Sequence, residues 1–436
     1  MRKLLIVDPT LVSLEGHSYN YDRAISGAAR AHFDEVVLYT GGGFRPPAGD
    51  ALAYRPVLNR MPLERLKRAV NAVFHLFGRR KHGAAPDAAA AGHATVVPGV
   101  WRWMIDLAKV LRARDLESSV RAIVGEHVGA GVDEVHAFFQ HAHLHDLLAV
   151  DRLRGAFQGP TRVHLDLVLR YSPELVNAGY FRDADFVALV RRVAASNSPR
   201  VHLLTDSERL SAEYRALGVE QVGTLPVPIL LPEAAAPSAD KAQVAVAFLG
   251  SSRVEKGFCE LPALLRSLPR ESGGRRIGAM VQVTRDSADP RVRTAVEQLR
   301  DLQRERPEAL ELLDSPVPMP VYYGWVARSG IVALPYLSQK YNASTSGIFV
   351  EAVCFGVPVL APANSWMSDM IEEAQRAHGL RIGEVFTSLA EIPAAVARMA
   401  VDIARYRTDV KRYSVVWRET HNPDACVRTL LAAAAG

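Results

Sequence analysis

The segment from residue 331 to residue 372 constrains the fold most, because two apolar runs enclose a short helical stretch with almost no residues between them. Residues 331–335 have the continuous apolar character of a buried parallel strand. Ser346 can cap a helix, and Gly356 supplies the usual helix stop. Residues 357–361 form the next strand. This order predicts a β-α-β unit, and therefore a parallel sheet covered by helices.

The turn that opens this helix has the character of an anion site. Thr345, Ser346 and Gly347 carry no bulky side chain, so the amides of the first helical turn, through Ile348, stay open to a phosphate. Glu351 follows roughly 6 Å along the helix axis, where it can accept hydrogen bonds from hydroxyl groups beside that phosphate. A nucleoside diphosphate offers both groups at this separation. A carboxylate in the first two turns also complements the helix dipole, and on helix grounds alone that structural interpretation comes first.

A second motif strengthens the diphosphate interpretation. FLGSSRVEKGF, at 248–258, is the end of an apolar strand followed by a glycine turn that carries Arg253 and Lys256. Two cations at the carboxyl end of a strand can close over a diphosphate that is held by another helix tip of the same sheet. Arginine and lysine on a loop are usually only solvated. The combination of the two motifs, each following a strand of one predicted sheet, is what favours a binding site.

Residues 246–376 resemble the donor-binding domain of GT-B glycosyltransferases and are most similar to family four, the retaining enzymes that use nucleotide sugars. The stretches that carry the resemblance are GSSRVEKG at 250–257, ALPY at 333–336 and SGIFVEAVCFGVPVLAP at 346–362. The resemblance implies that Arg253 and Lys256 hold the donor diphosphate and that Glu351 binds the ribose hydroxyls. The family often has a second glutamate eight positions before this one, in contact with the donor sugar, whereas this chain has Ala343.

The resemblance also implies the overall architecture, which is an α/β GT-B fold with two Rossmann-like, doubly wound parallel-sheet domains facing a cleft. We expect an acceptor-binding domain at 1–231, a donor-binding domain at 244–405, and a last helical segment at 406–436 that crosses back to the first domain. The boundary falls in PEAAAPSADKAQ, the Pro- and Ala-rich polar break at 232–243. The resembled enzymes need no metal ion, so we expect no cofactor besides the nucleotide-sugar donor substrate.

Composition limits the environment and the partners. A chain of 436 residues that is 49% hydrophobic is long enough for two cores. Its three cysteines are odd in number and widely spaced, which fits a reducing compartment and predicts a cytoplasmic protein. No apolar run reaches the roughly eighteen residues of a membrane span or its signal-peptide relative. A net charge of +5, without a basic stripe alternating with aromatics, excludes a typical nucleic-acid binder.

The amino-terminal half supplies candidates for the acceptor side of the cleft. Gly16 and His17 open the helix after the first predicted strand, and His141 follows the strand near 134–140. His164 shares one face of a later strand with Asp166 by the two-residue period. For His17 and His164 a structural histidine is the alternative. The alternation of His141 with the next two histidines invites a metal interpretation, which we discount because no usual ligand set completes it.

Residues 60–82 hold seven Lys or Arg and one acid, Glu64, giving a local charge of +6. Apolar residues recur there at helical spacing, so the segment predicts a basic amphipathic helix. Such a helix can lie on an anionic membrane surface, which would make the protein peripheral to the inner face of the membrane. The alternative is an ordinary surface helix, and the sequence leaves both open.

These expectations define a function. The chain is predicted to be a metal-independent, retaining glycosyltransferase that moves a sugar from a nucleoside diphosphate to a glycan, a lipid-linked acceptor or another acceptor, in cell-surface polysaccharide or glycoconjugate synthesis. One alternative is a nucleotide-sugar epimerase on the same fold, although the cleft carboxylates and histidines it needs cannot be assembled here. The other is a non-catalytic nucleotide-binding scaffold, which Ala343 and the basic segment at 60–82 suggest.

Overall fold

The computed structural model describes residues 1–12, 17–47, 49–50, 52–58, 99–229, 243–284, 287–337 and 341–435, without the side chains of residues 17 and 99–106. Gly16, the basic segment 60–82 and all but the last residue of the break at 232–243 lie outside these ranges. The described residues form two parallel-sheet units that follow one another along the chain.

The first unit is a sheet of seven parallel strands in the order β3-β2-β1-β4-β5-β6-β7. The chain therefore winds outward in both directions from the β1/β4 pair, as in a doubly wound sheet. The strands are β1 Arg2–Asp8, β2 Glu35–Gly41, β3 Ala53–Leu58, β4 Glu134–Phe139, β5 Arg162–Leu169, β6 Arg200–Thr205 and β7 Val222–Thr224. The described helices of this unit are α1 His17–Ala29, α2 Gly99–His127, α3 Leu144–Arg152, α4 Pro173–Asn177, α5 Asp183–Ala194 and α6 Glu208–Ala216.

The second unit is a sheet in the order β11-β10-β8-β12-β13-β14, parallel throughout, with the short β9 antiparallel to β10 at one side. Its strands are β8 Gln243–Phe248, β9 Glu271–Ser272, β10 Arg275–Thr284, β11 Leu310–Ser315, β12 Ile331–Ala333, β13 Val359–Pro362 and β14 Gly383–Phe386. Its helices are α7 Leu261–Ser267, α8 Pro290–Glu305, α9 Met319–Arg328, α10 Gly347–Cys354, α11 Trp366–His378, α12 Ile392–Val401 and α13 Ile403–Thr420. No helix within the described ranges combines the length and the apolarity that a membrane span requires.

The predicted β-α-β unit is confirmed as β12, α10 and β13. Ser346 caps α10, since its Oγ accepts a hydrogen bond from the Phe349 amide at 3.4 Å. Gly356 follows the helix with a φ of +72°, a left-handed conformation that glycine adopts without strain. All eight residues of α10 except Gly347 are buried, because the helix is covered on one side by its own sheet and on the other by α13.

From the sequence, Thr205 with Glu208 is predicted to form the capping box that opens the next helix, and this prediction is wrong. Thr205 and Glu208 have the spacing of a capping box, but Ser207 is the residue that caps α6, accepting from the Leu210 amide at 3.1 Å. Thr205 is still the last residue of β6, and its hydroxyl donates to the Ser207 carbonyl and contacts Ser211. The strand therefore extends one residue further than a cap at this position allows.

The carboxyl-terminal segment divides between the two units. Helix α13 packs on the second unit through Val410, Tyr413 and Trp417. The last described helix, α14 Pro423–Ala435, lies on the first unit, where Cys426, Val427 and Leu430 join a core cluster with residues of α1. The last helix α14 therefore packs on the first unit, while α13 packs on the second.

Candidate active site

The candidate site lies at the carboxyl ends of β8 and β12, which are neighbours at the point where the second sheet changes winding direction. Ligands of open α/β sheets bind at such a switch point. The loop after β8 carries residues 250–257, and the loop after β12 leads through Tyr336 to α10. The two predicted motifs are therefore placed side by side by the topology of the sheet.

The motifs touch at Gly250. A Cβ atom on this residue would lie 2.6 Å from Ile348 Cδ1 and 3.0 Å from Lys256 Nζ, and its φ of +105° also requires glycine. Lys256 Nζ lies 5.5 Å from the centre of the Tyr336 ring. The Lys256 ammonium group is thus beside the first turn of α10, where a cation and the helix amides can share one phosphate group.

The β8 loop is fixed on two sides. The Gly250 amide donates to Gln282 Oε1 at 2.7 Å. Ser252 and Thr284 exchange two hydrogen bonds between their amides and hydroxyls, of 3.3 and 2.9 Å. At the far end of the loop, Gly257 has a φ of +72°, and a Cβ there would lie only 2.0 Å from the carbonyl oxygen of Pro335. The loop that carries both cations therefore packs directly on the backbone that follows β12.

Arg253 lies further out than Lys256. Its side chain is 55% exposed, and its Nη1 is 3.8 Å from Glu255 Oε1. Burial, followed by the charge of Glu255, raises the pKa of the neighbouring Tyr341 to about 12, while the Arg253 charge opposes that rise. Arg253 is therefore near the loop that precedes α10, with its guanidinium group accessible to a ligand.

Glu351 is buried, with 4% exposure, and its Oε2 accepts a hydrogen bond of 2.7 Å from the Tyr322 hydroxyl. Burial and the charge of Glu351 together raise the pKa of Tyr322 well above its usual value, so the phenol stays a donor. Nearby, the Tyr336 hydroxyl is 3.2 Å from Ser346 Oγ. Sequence reasoning missed Tyr322, whose position on α9 gives no signal of a partner on α10.

The turn before α10 docks on the first unit. Ser344 Oγ donates to the Arg170 carbonyl at 2.7 Å, and Thr345 Oγ1 donates to Asp206 at 2.6 Å. The Ala343 carbonyl accepts from Ser207, and Ala343 itself is 4% exposed. Ala343, at the position where the resembled family often has a glutamate, is therefore covered by the first unit.

An ion pair also connects the two units beside this turn. Arg209, on α6, makes a two-pronged hydrogen-bonded pair with Asp369 on α11. Its Nη1 also donates to the carbonyls of Asn342 and Asn364, at 3.1 and 3.0 Å. The arginine thus contacts two loops of the second unit at once. Nothing in the sequence connects residues so far apart.

The first unit has a group of charged and polar side chains at the carboxyl ends of β1, β4 and β5. Asp8 accepts from Gln140 Nε2 at 2.5 Å across the β1/β4 pair. Burial and the neighbouring Asp8 charge raise the pKa of Asp22 well above its usual value, which favours its protonated form. Arg170 lies 4.4 Å from the centre of the Tyr21 ring and donates to the Gln140 carbonyl at 2.8 Å. Sequence reasoning missed this buried group as well.

His141 lies beside a crevice at the same edge of the sheet. Its ring is 4.3 Å from that of His143 and 5.1 Å from that of Tyr171. The crevice is lined by Val7, Asp8, Pro9, Thr10, Arg112, Phe139, Gln140, His141, His143, His145 and Asp146. Burial lowers the pKa of His145 to about 3 and raises that of Asp146 to about 6. The crevice therefore combines the neutral imidazole of His145 with the cationic Arg112.

Of the other acceptor-side candidates, His164 is not brought to this edge. His164 is the third residue of β5 and is 0% exposed, so it lies in the core near the amino end of the strand rather than in the cleft. Burial lowers its pKa to about 4, in keeping with a neutral core histidine. The two-residue period predicts the face of the strand on which His164 lies, but not which end of the strand it is near. His17 begins α1, its side chain is not described, and Gly16 lies outside the described residues.

Two doubly wound parallel sheets joined through the carboxyl ends of their strands define the GT-B fold, and this chain has that fold. Solved structures with this architecture match nearly its whole length. Sucrose-phosphate synthase from Thermosynechococcus elongatus is 16% identical with a TM-score of 0.59, covering 99% of this chain and 100% of its own. An E. coli structure described as trehalose-6-phosphate bound with UDP-2-fluoro glucose is 11% identical with a TM-score of 0.64, covering 99% and 98%.

The α,α-trehalose 6-phosphate synthase of Burkholderia multivorans is similar to the same extent, at 12% identity and a TM-score of 0.62, covering 99% of this chain and 98% of its own. No protein-family model and no curated protein sequence matches the chain. At these identities the likeness establishes the fold, and the chemistry has to be argued from the residues of this chain.

Proposed function

We propose that the protein is a glycosyltransferase that takes its sugar from a nucleoside diphosphate. The observation that carries the proposal is that the two motifs meet at Gly250. Lys256 Nζ and Ile348, at the tip of α10, both lie so close to Gly250 that a Cβ atom on this residue would contact both. This arrangement concentrates a lysine charge and the free amides of a helix start at one point, which suits a diphosphate. Glu351, one turn further along α10, is placed to receive ribose hydroxyls.

The chemistry follows from where charge develops. When the bond between the sugar and the diphosphate breaks, negative charge grows on the leaving phosphate oxygens. Lys256, Arg253 and the amides at Ser346–Ile348 can stabilise that charge without a metal ion, and preorganised groups of this kind act more strongly than water. The junction formed by Ser344 and Thr345 with the first unit helps to keep water away from the reacting sugar. Retention of configuration rests on the resemblance to the retaining family.

For the acceptor we infer a small phosphorylated sugar, in place of the polysaccharide or glycoconjugate that the sequence suggested. The crevice at His141 and His143 lies at the carboxyl edge of the first sheet and includes Arg112, whose charge complements a phosphate group. The similar structures include sucrose-phosphate and trehalose 6-phosphate synthases, which supports this acceptor class. We place the reaction in the cytoplasm, because all three cysteines are unpaired.

The proposal is tested with purified protein, a panel of nucleotide sugars, and acceptors that include glucose 6-phosphate, fructose 6-phosphate and lipid-linked glycans. We expect release of nucleoside diphosphate that depends on one acceptor. Lys256→Ala and Arg253→Ala should each lower turnover by about 10²-fold, because each removes positive charge from the leaving group. The matched control is Arg304→Ala, which removes a 77% exposed arginine that pairs with its helix neighbour Asp301.

Each alternative has its own result in this assay. An isomerised donor without sugar transfer identifies an epimerase, and binding of a nucleotide without turnover identifies a scaffold. Transfer at the wild-type rate in both Lys256→Ala and Arg253→Ala would refute the assignment of these residues. Binding of the wild-type chain to vesicles of anionic lipid tests the separate prediction of a peripheral membrane role for residues 60–82.

A further inference from the structure

A cluster of titratable side chains lies buried at the amino end of the first sheet, away from the cleft. Glu134 and His136 are on β4, and His164 is on β5, where the strand register places it directly opposite His136. One potential ligand atom from each of the three residues lies within 4.8 Å of the other two. Glu134 is 8% exposed and both histidines are 0% exposed. The cluster is thus built into the core and reaches the surface only at Glu134.

Two imidazole nitrogens in this cluster converge on one carboxylate oxygen. His164 Nε2 lies 3.0 Å from Glu134 Oε1, and His136 Nε2 lies 3.9 Å from the same atom. Neither nitrogen makes a hydrogen bond with any described residue. Buried polar atoms in proteins are nearly always satisfied. Two adjacent buried nitrogens without a hydrogen bond therefore indicate a position that a ligand can fill.

The opposite nitrogens of both rings have partners that orient them for metal binding. His136 Nδ1 is 2.9 Å from Asp166 Oδ2, and because a carboxylate accepts, Nδ1 of a neutral ring carries the hydrogen. His164 Nδ1 is 2.8 Å from His202 Nε2. The neutral tautomer of His136 then leaves its Nε2 lone pair facing Glu134, and His164 has the same tautomer where its Nδ1 donates to His202. A histidine that binds metal commonly donates its other N–H to a carboxylate in this way.

We propose that Glu134, His136 and His164 bind a divalent cation of the zinc type. Two imidazole nitrogens and a carboxylate oxygen are a known zinc ligand set, with ligand distances of about 2.0–2.2 Å that put the ligand atoms about 3.3 Å apart in a tetrahedron. The observed separations from Glu134 Oε1, 3.0 and 3.9 Å, bracket that spacing. The ion would join β4 to β5 and have a structural role, since it lies at the end of the strands opposite the cleft.

The neighbouring charges are compatible with a cation. Arg2 Nε donates to the other carboxylate oxygen of Glu134 at 2.7 Å, which leaves Oε1 for the metal. Arg162 Nη2 is 3.7 Å from Oε1, but its side chain is 57% exposed and can turn into solvent. The carboxylate of Asp166, behind His136, offsets the remaining positive charge. Besides Glu134 itself, the surroundings of the site thus hold one acid, Asp166, for the two arginines.

The test uses the full chain, freed of metal with a chelator, then exposed to Zn²⁺ and desalted before metal analysis by plasma emission. We expect one zinc per chain, a higher thermal unfolding midpoint with zinc than without it, and visible d–d absorption when Co²⁺ replaces zinc. His164→Gln and Glu134→Gln should each weaken binding by at least about 10-fold. Asp166→Asn keeps all three ligands and should weaken binding by about 10–100-fold through the orientation of His136.

The matched control is the double variant His141→Gln/His143→Gln, which removes two histidines near the cleft and should leave the zinc stoichiometry at one. Circular dichroism establishes that each variant is folded. Where a histidine variant does not fold, Glu134→Gln and Asp166→Asn decide the outcome. Substoichiometric zinc in the wild-type chain, wild-type affinity in folded Glu134→Gln, or loss of zinc only in the His141/His143 variant would each overturn the proposal.

Discussion

Replacing Gly257 by alanine should damage the proposed donor site without touching either cation. A Cβ at this position would lie 2.0 Å from the Pro335 carbonyl oxygen, whereas carbon–oxygen contacts are rarely shorter than about 3 Å. The loop or the strand end must therefore move by about 1 Å. Misplacing a catalytic group by about 1 Å can cost about 10²-fold in rate, so we expect turnover to fall by about that factor.

The same substitution also has a conformational cost, which a second glycine isolates. Gly257 has a φ of +72° and Gly379, at the end of α11, has a φ of +66°, but a Cβ on Gly379 would meet nothing within 4 Å. Both alanine variants should lose about 1–2 kcal/mol of unfolding free energy from the left-handed backbone. Only Gly257→Ala should lose more than this and also lose activity.

Nucleoside diphosphate release and urea unfolding measure the two effects on the same preparations. We expect Gly379→Ala to keep wild-type turnover and Gly257→Ala to lose about 10²-fold, with the larger shift in unfolding midpoint. Equal turnover in the two variants would mean that the packing of Gly257 on Pro335 does not position the cations. The proposed role of the β8 loop would then have to be abandoned.

Three further predictions concern single side chains. Burial lowers the pKa of His421 to about 4, so the unfolded chain takes up a proton at this histidine before the folded chain does. The free energy of unfolding should therefore fall by about 2 kcal/mol between pH 7 and pH 5. Urea unfolding should show a smaller fall in His421→Gln, and an equal fall in that variant would contradict the prediction. Tyr322→Phe removes a donor to Glu351 and should raise the Kd of the donor nucleotide by about 10-fold with little change in kcat, whereas an unaltered Kd excludes a positioning role. Arg209→Ala removes the hydrogen bonds of Arg209 with Asp369, which connect the two units. We expect a larger radius of gyration in small-angle X-ray scattering, and an unchanged radius would disprove this.

The sequence was most informative where the signal is local. The apolar runs and the caps at Ser346 and Gly356 lie within about thirty residues, so they predicted β12, α10 and β13 with small errors at the ends. The failure at Thr205 is local too, because two hydroxyl residues compete for one cap and the strand decides between them. A cap is a weak determinant beside strand pairing, which here continues through Thr205.

The site was predictable only in part, since much of it is made by contacts between distant residues. Lys256 and Glu351 follow strand ends in recognisable motifs, so sheet topology alone brings their neighbourhoods together. The contact of Thr345 with Asp206 spans 139 residues and crosses between the units. His164 was left as either a cleft candidate or a core histidine, because alternation along a strand predicts the face on which a residue lies but not its distance from the strand ends.

The position of α14 on the first unit affects how the chain folds as it is synthesised. Its 13 residues are the last described helix, yet Val427 and Leu430 share a core cluster with Ile25 and Phe33, which are synthesised about four hundred residues earlier. The part of the first unit that α14 covers therefore stays exposed until α14 has been synthesised. The amino-terminal half of the nascent chain must remain free of aggregation throughout that interval.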